Sequence, residues 1–163
     1  MLTPIVIPKA TPVRKIPGYG MPEDEAHLVT WHFVAEQMAA ARHYWLGTVS
    51  PMGGPHVVPV WGIWVENRLH FEGSMQTMWA RYLTRNPQAV VHLADGEKVI
   101  MLEGVARIIG DDDIDADGWR RLDTTFQAKY GVEEGSPYWC VEPRKVLAWD
   151  GEQLHNMTRW MFG

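Results

Sequence analysis

The chain has 163 residues, the size of one domain, and can bury roughly two-thirds of its unfolded surface without staples. Its single cysteine, Cys140, excludes an internal disulfide framework and fits a reducing cytoplasm. A formal net charge of −5 without a lysine-rich block argues against nucleic acid as the main partner, and no apolar run is long enough for a signal peptide or a membrane span. Nine Trp and nine Met are unusual. Trp favours half-buried positions at interfaces and ligand pockets, and a Trp-rich core is the other reading.

In chain order, residues 1–21 read as an extended arm, because Pro4, Pro8, Pro12 and Pro17 fix φ and remove donors. Such an arm lies along the body, reaches a partner subunit or stays disordered. Residues 22–163 read as one domain with no internal boundary. Thr30 predicts a helix N-cap with Val29 stapled to Val34, and the helix runs to about His43 with Phe33, Val34, Gln37, Met38 and Ala41 on one face. Strands are predicted at 44–50 and 56–65, separated by the turn Pro51-Met52-Gly53-Gly54, and Glu66-Asn67 leads tightly into a strand at 68–72. Ser74 to Arg85 reads as a short helix stopped by Asn86-Pro87. Strands at 89–93 and 99–109 flank the turn Asp95-Gly96. A helix follows from near Ile114 to Tyr130, with acids at its positive end and Gly131 closing it. A loop over 132–137 leads to strands at 138–141, 145–149 and 153–160, the last two forming a hairpin around Asp150-Gly151. Short strands with turn signals suggest an antiparallel sheet or barrel.

Few common chemistries have a signature here. Among seven His, His27 and His32 are five apart and His32 and His43 eleven apart, so no i, i+4 helical metal pair exists, and His56, His70, His92 and His155 fall on separate predicted strands. His92 reads as a satisfied strand histidine and no metal site is expected. Asp111-Asp112-Asp113 lacks the Gly and terminal Glu of a calcium loop and reads as a solvated helix start. Cys140, between Trp139 and Val141, reads as a buried inert thiol. No nucleophile elbow or phosphate-cradling Gly-rich loop is present.

The order of local patterns is more specific. Tyr44-Trp45-Leu46-Gly47-Thr48-Val49, then Gly53-Gly54-Pro55-His56-Val57-Val58-Pro59-Val60-Trp61, resemble the opening hairpin of the pyridoxamine 5'-phosphate oxidase-like split-barrel family. Leu69-His70-Phe71, Leu83-Thr84-Arg85-Asn86-Pro87, Val90-Val91-His92-Leu93 and Glu103-Gly104 follow in the family's order. Ala128-Lys129-Tyr130-Gly131 and Thr158-Arg159-Trp160 resemble a flavin- or deazaflavin-dependent branch of it, and the likeness spans about 30–162. It implies a mainly β fold with flanking helices: a split antiparallel β-barrel of six or so strands, Greek-key-like. It also implies a homodimer with a cofactor groove at the subunit interface, holding FMN or deazaflavin coenzyme F420, or haem or biliverdin in some branches. Fold alone does not choose among these.

Such a site needs a flat apolar slot, backbone groups from a strand edge, and cationic or hydroxyl donors for phosphate. Val58, Pro59, Val60 and Trp61 would supply the edge; Pro59 lacks an N–H, which fits a ligand-facing strand or simply an edge or bulge. The family's Ser-Arg-Lys at the start of the short helix corresponds to Thr77, Met78 and Trp79, its hydroxyl after the third strand to Gly73 with Ser74 adjacent, and its strand arginine to Val58. A charge-assisted bond to phosphate contributes about 1.5–3 kcal/mol, so two lost cations weaken that grip by a few powers of ten. The helix N-terminus, Arg81 one turn on, and Arg159 beside Trp160 near the C-terminus remain as candidates. Trp79 either stacks on a different planar ligand or fills the vacated slot. Two functions stay open: an oxidoreductase moving hydride between a flavin-type ring and a small planar unsaturated substrate, with no side chain assigned as acid or base, and a non-catalytic protein holding a planar apolar ligand with no cofactor bound.

Overall fold

A computed structural model describes residues 2–19, 21, 25–132, 135, 137–151 and 154–163. The arm contributes a two-residue strand, β1 (Thr11–Pro12), before the first helix, α1 (Trp31–Ala40). Then come β2 (Tyr44–Val49), β3 (Pro55–Val60), β4 (Ile63–Val65), β5 (Arg68–Glu72), α2 (Met78–Arg85), β6 (Gln88–His92), β7 (Lys98–Ile109), α3 (Ala116–Tyr130), β8 (Tyr138–Asp150) and β9 (Thr158–Met161). Each helix begins where a side chain satisfies a free N–H. Thr30 accepts from Phe33, Thr77 from Ala80 and Asp115 from Gly118, and Gly131 at φ 73° ends α3 in the left-handed conformation.

All strand pairs are antiparallel, in the order β1-β9-β8-β7-β6-β2-β3, with β5 on β8 and β4 on β5. β3 and β4 do not pair with each other; Trp61 and Gly62 join them. With β3 and β4 taken as one bent strand, six strands curl around the core and the ladder stays open between those two. This is a split barrel. The expected strand over 56–65 therefore breaks at residues 61–62. Gly62 permits the bend, because a Cβ there would lie 2.7 Å from the His70 carbonyl oxygen.

The expected strands at 138–141 and 145–149 are one continuous strand, β8. All of β8 lies against β7, but its other edge changes partner: Tyr138–Val141 pair with β5, and Lys145–Ala148 with β9. Pro143 falls in the gap between those partners and opposite Gly104, beside the bulge at which Arg144 is the extra residue of β8. No second ladder there asks for an N–H, so the proline does not end the strand. The expected final strand starts later than residue 153, which lies outside the described residues. A 3-10 turn at Leu154–Asn156 precedes β9, and the Asn156 amide closes the connection with bonds to the backbone N–H and carbonyl of Asp150.

Two apolar cores result. The barrel interior holds Tyr44, Leu46, Leu69, Phe71, Val91, Leu102, Trp139, Val146 and Trp160, closed by Val34 and Met38 of α1 and by Trp79, Ala80 and Leu83 of α2. Outside β4, β5 and β8, α3 covers Ile63, Ile109, Tyr138 and Cys140 with Leu122 and Phe126. Each large side chain so buried stabilises the fold by roughly 1.5–3 kcal/mol. Cys140 is fully buried, and burial pushes its thiol up to about 12. No helix among the described residues is long and apolar enough to cross a membrane.

The bend at Gly62 is held from α3. The Tyr130 hydroxyl accepts from the Gly62 N–H at 2.9 Å and lies 2.8 Å from both the Gly62 and Arg42 carbonyls. Lys129 Nζ donates to the Gly62 carbonyl at 3.1 Å and to the Tyr44 hydroxyl at 2.9 Å, and Tyr44 donates to the Met38 carbonyl. Burial, with Arg42 near, lowers the Lys129 ammonium to about 8. We expect Tyr130→Phe to cost about 1–3 kcal/mol, since it strips the Gly62 N–H of its partner, and Gly62→Ala to cost more because the new methyl meets backbone. Urea unfolding of both variants measures this; a change within about 0.5 kcal/mol for both would contradict the role given to the bend.

Candidate functional site

Two features converge at β3. It pairs only with β2, so among the described residues its other edge is open. Beside it lies α2, where the Tyr82 ring meets His56 of β3 edge-on at 5.5 Å. Along β3, His56 and Val58 are half-buried, Val60 is buried, and Pro55, Val57 and Pro59 are exposed on the outer face. Trp61, just past the strand, is 45% exposed although its ring stacks on Tyr130 at 4.7 Å and 4°. One face of Trp61 is thus held by a ring that is itself anchored to Gly62, and Arg42 lies 5.5 Å over that same Tyr130 ring. The result is a fixed aromatic platform at the end of an open strand edge.

The start of α2 supplies the polar end. Thr77 accepts from the Ala80 N–H and donates to the Ser74 carbonyl, while Ser74 Oγ accepts from the Gln76 N–H. Both hydroxyls therefore serve the helix start. Met78 is 53% exposed, and Arg81 is exposed on the same helix. Trp79 turns the other way. It is 7% exposed and packs against Phe71 and Trp139 at ring distances of 5.4 and 5.7 Å, above Gly73, where a Cβ would lie 2.4 Å from the ring. A lysine in its place would bury an unpaired charge.

Arg159 and Trp160 lie elsewhere along the sheet. β9 pairs with β8 and β1 and has no ladder with β3 or β4. Arg159 Nε sits 3.4 Å from Thr11 Oγ1 at the seam with β1, and Trp160 is buried edge-on against Trp31 at 5.3 Å. Within one chain, then, β3 and α2 meet through His56 and Tyr82, with Val58 to Trp61 further along β3, Ser74, Thr77, Met78 and Arg81 around the start of α2, Trp79 in the core, and the C-terminal pair on β9.

Sequence reasoning gave no role to Lys129, Tyr130, His56 or Tyr82, whose partners are distant in the chain. It also passed over the outer face of β2, β3 and β6. There Val49, Val57 and Val90 are exposed, Trp45 stacks on His92 at 6.4 Å and 9°, and a shallow apolar groove of about 350 Å³ runs past Gly47 and Val57. The signal was in β3 itself: Pro55-His56-Val57-Val58-Pro59-Val60 is apolar on both faces, a pattern of strands covered on both sides. Among the described residues no three His, Cys, Asp or Glu side chains gather to hold a metal.

The fold has known counterparts. A conserved hypothetical protein of Mycobacterium tuberculosis is 21% identical, with a TM-score of 0.64 over 79% of this chain and 90% of that one. A heme binding protein from Mycobacterium smegmatis is 19% identical, with a TM-score of 0.63 over 82% of this chain and 58% of that one. A pyridoxamine 5'-phosphate oxidase-related, FMN binding protein from Nostoc punctiforme is 18% identical, with a TM-score of 0.54 over 82% and 90%. At these identities the likeness is one of fold. No curated protein matches the sequence. The family model described as pyridoxamine 5'-phosphate oxidase matches residues 31–155, all strands from β2 to β8 and all three helices, and the chain belongs to that family.

Proposed function

We propose that this chain is a flavin-type cofactor-dependent oxidoreductase acting as a homodimer. The observation that carries the reading is the open edge of β3, which ends on the Trp61 platform and whose His56 meets Tyr82 of α2. The residues fit the ring of such a cofactor better than its phosphate. Backbone groups of Val58 to Trp61 on the open edge suit the ring's polar rim, and the exposed face of Trp61 suits its plane. The α2 N-terminus and Arg81 offer the anion a positive end, while Met78 and the inward Trp79 offer it no charge. FMN is the cofactor in this reading, and deazaflavin coenzyme F420 is the alternative in the same place.

When bound, the ring supplies hydride transfer, and the chain supplies position. Trp61, fixed by Tyr130, would orient the ring. The substrate would be a small planar unsaturated molecule, and no side chain is assigned to move its proton. The outer face of β2, β3 and β6 is the surface for the second copy, since Val49, Val57 and Val90 lie exposed there beside Trp45 and His92. Trp160, buried in the barrel core, takes no part in the groove in this reading, and Arg159 and the arm would reach it from the partner's side. The competing reading is a protein that holds a planar apolar ligand without turnover, favoured by the exposed Met78 where a cation would grip phosphate.

Titrating FMN into the protein should quench flavin fluorescence saturably, and Arg81→Ala should weaken binding about tenfold or more with the melting temperature unchanged. No saturable binding of either FMN or F420, with a colourless purified protein, would support the non-catalytic reading. Light scattering at micromolar concentration should give a mass near twice 18.6 kDa, falling to one chain in Val57→Glu. A mass near 18.6 kDa for the natural protein would remove the dimer and the shared groove.

A further inference from the structure

The open edge of β3 has a polarity that its prolines set. Along a strand, the N–H and C=O of one residue point to the same side, and successive residues alternate. β3 pairs with β2 in unbroken register from Pro55 opposite Val49 to Val60 opposite Tyr44. The His56 carbonyl is turned to β2, where the Thr48 hydroxyl lies 3.5 Å from it. His56, Val58 and Val60 therefore serve the ladder, and Pro55, Val57 and Pro59 present their backbone groups to the open edge. This placement agrees with the chemistry of proline, which has no N–H to give a ladder.

Two of the three residues on that edge are thus prolines. The edge carries the carbonyls of Pro55, Val57 and Pro59 but only the N–H of Val57. Just past the strand, the Gly62 N–H is taken by the Tyr130 hydroxyl, and the Lys129 ammonium serves the Gly62 carbonyl and the Tyr44 hydroxyl. A peptide strand needs donors and acceptors in alternation, so this edge resists strand addition. What it offers a ligand is acceptors. A carbonyl facing a ligand is satisfied by an N–H or O–H and left unpaired by a bare nitrogen or a second carbonyl. The polar rim of an oxidised flavin ring has one N–H, at N3, among acceptors at N1, N5 and its two carbonyls. Uptake of two electrons with a proton at N5 adds a second donor, and protonation of N1 adds a third.

We propose that the donor-poor edge of β3, set by Pro55 and Pro59, makes this chain hold the reduced flavin ring more tightly than the oxidised ring. The inference rests on the reading that a flavin-type cofactor lies along β3. Pro59, the proline nearer the Trp61 platform, is the main determinant of the preference. A chain that binds the reduced form better raises the two-electron potential of the bound cofactor by the same free energy.

Calorimetric titration of the full chain with oxidised FMN, and anaerobically with dithionite-reduced FMN at the same pH, tests it. The reduced form should bind about tenfold tighter. Equivalently, the midpoint potential of bound FMN should lie about 30 mV above that of free FMN. Pro59→Ala adds an N–H to the open edge and leaves the β2 ladder intact, so it should bring the two affinities together. A merely looser strand would weaken both forms alike and leave their ratio unchanged. Pro55→Ala adds the same group further along the edge and should move the ratio in the same direction even if Pro59→Ala fails to fold. Equal affinities or tighter oxidised binding in the natural protein, or a ratio unchanged in the folded variants, would overturn the proposal and leave the cofactor reading standing. No saturable binding of either form would overturn both.

Discussion

The barrel depends on how the chain gets past Gly62. Six strands can curl around one core only if the strand entering at Pro55 leaves its partner β2 and, two residues later, joins β5. That change of partner leaves backbone groups at residues 61–62 without a ladder, in a place too tight for a side chain. Buried backbone groups need partners, and here Tyr130 and Lys129 at the end of α3 provide them. The same two side chains connect α3 through Tyr44 to α1, so one cluster of hydrogen bonds joins both helices to the bend. Gly131 follows directly and ends α3, which places Lys129 and Tyr130 in its last turn.

The candidate site follows from that bend. Because β3 departs from the ladder at Val60, its edge stays open and Trp61 projects from the end of it, backed by the ring that secures Gly62. The barrel also needs a plug between β2 and β7, and α2 fills that role with Trp79, Ala80 and Leu83. This accounts for the missing phosphate-binding cation. At position 79 the chain spends its side chain on the core, with Gly73 leaving room for the ring, and the exposed position before it is the apolar Met78. In the proposed reading, binding would rely on the strand edge and the platform more than on charge.

The helices were legible because their boundaries are local. Thr30 and Gly131 act within a few residues of themselves, and both stand at the ends where they were expected. The continuity of β8 was not legible. Pro143 reads as a stop, and its harmlessness comes from the gap between β5 and β9, a tertiary fact. The break at residues 61–62 lay hidden in a Val- and Trp-rich run, with Gly62 as its only mark. The resemblance of Val58 to Trp61 and of 74–81 to a cofactor-binding pattern pointed to the segments on which the proposed site is built. It did not tell which way Trp79 turns, since that depends on Phe71 and Trp139 across the barrel. Lys129 and Tyr130 matched a family motif, but their partners Gly62 and Tyr44 lie 67 and 85 residues away, beyond any local pattern.

The central claim is that the open edge of β3 and the start of α2 together receive a flavin-type cofactor. Amide hydrogen exchange with and without saturating FMN tests this most directly. Slower exchange concentrated in residues 56–61 and 74–81, with β8 and β9 little changed, is the predicted result. Saturable FMN binding that leaves both segments unprotected, or protects a different part of the barrel, would contradict it.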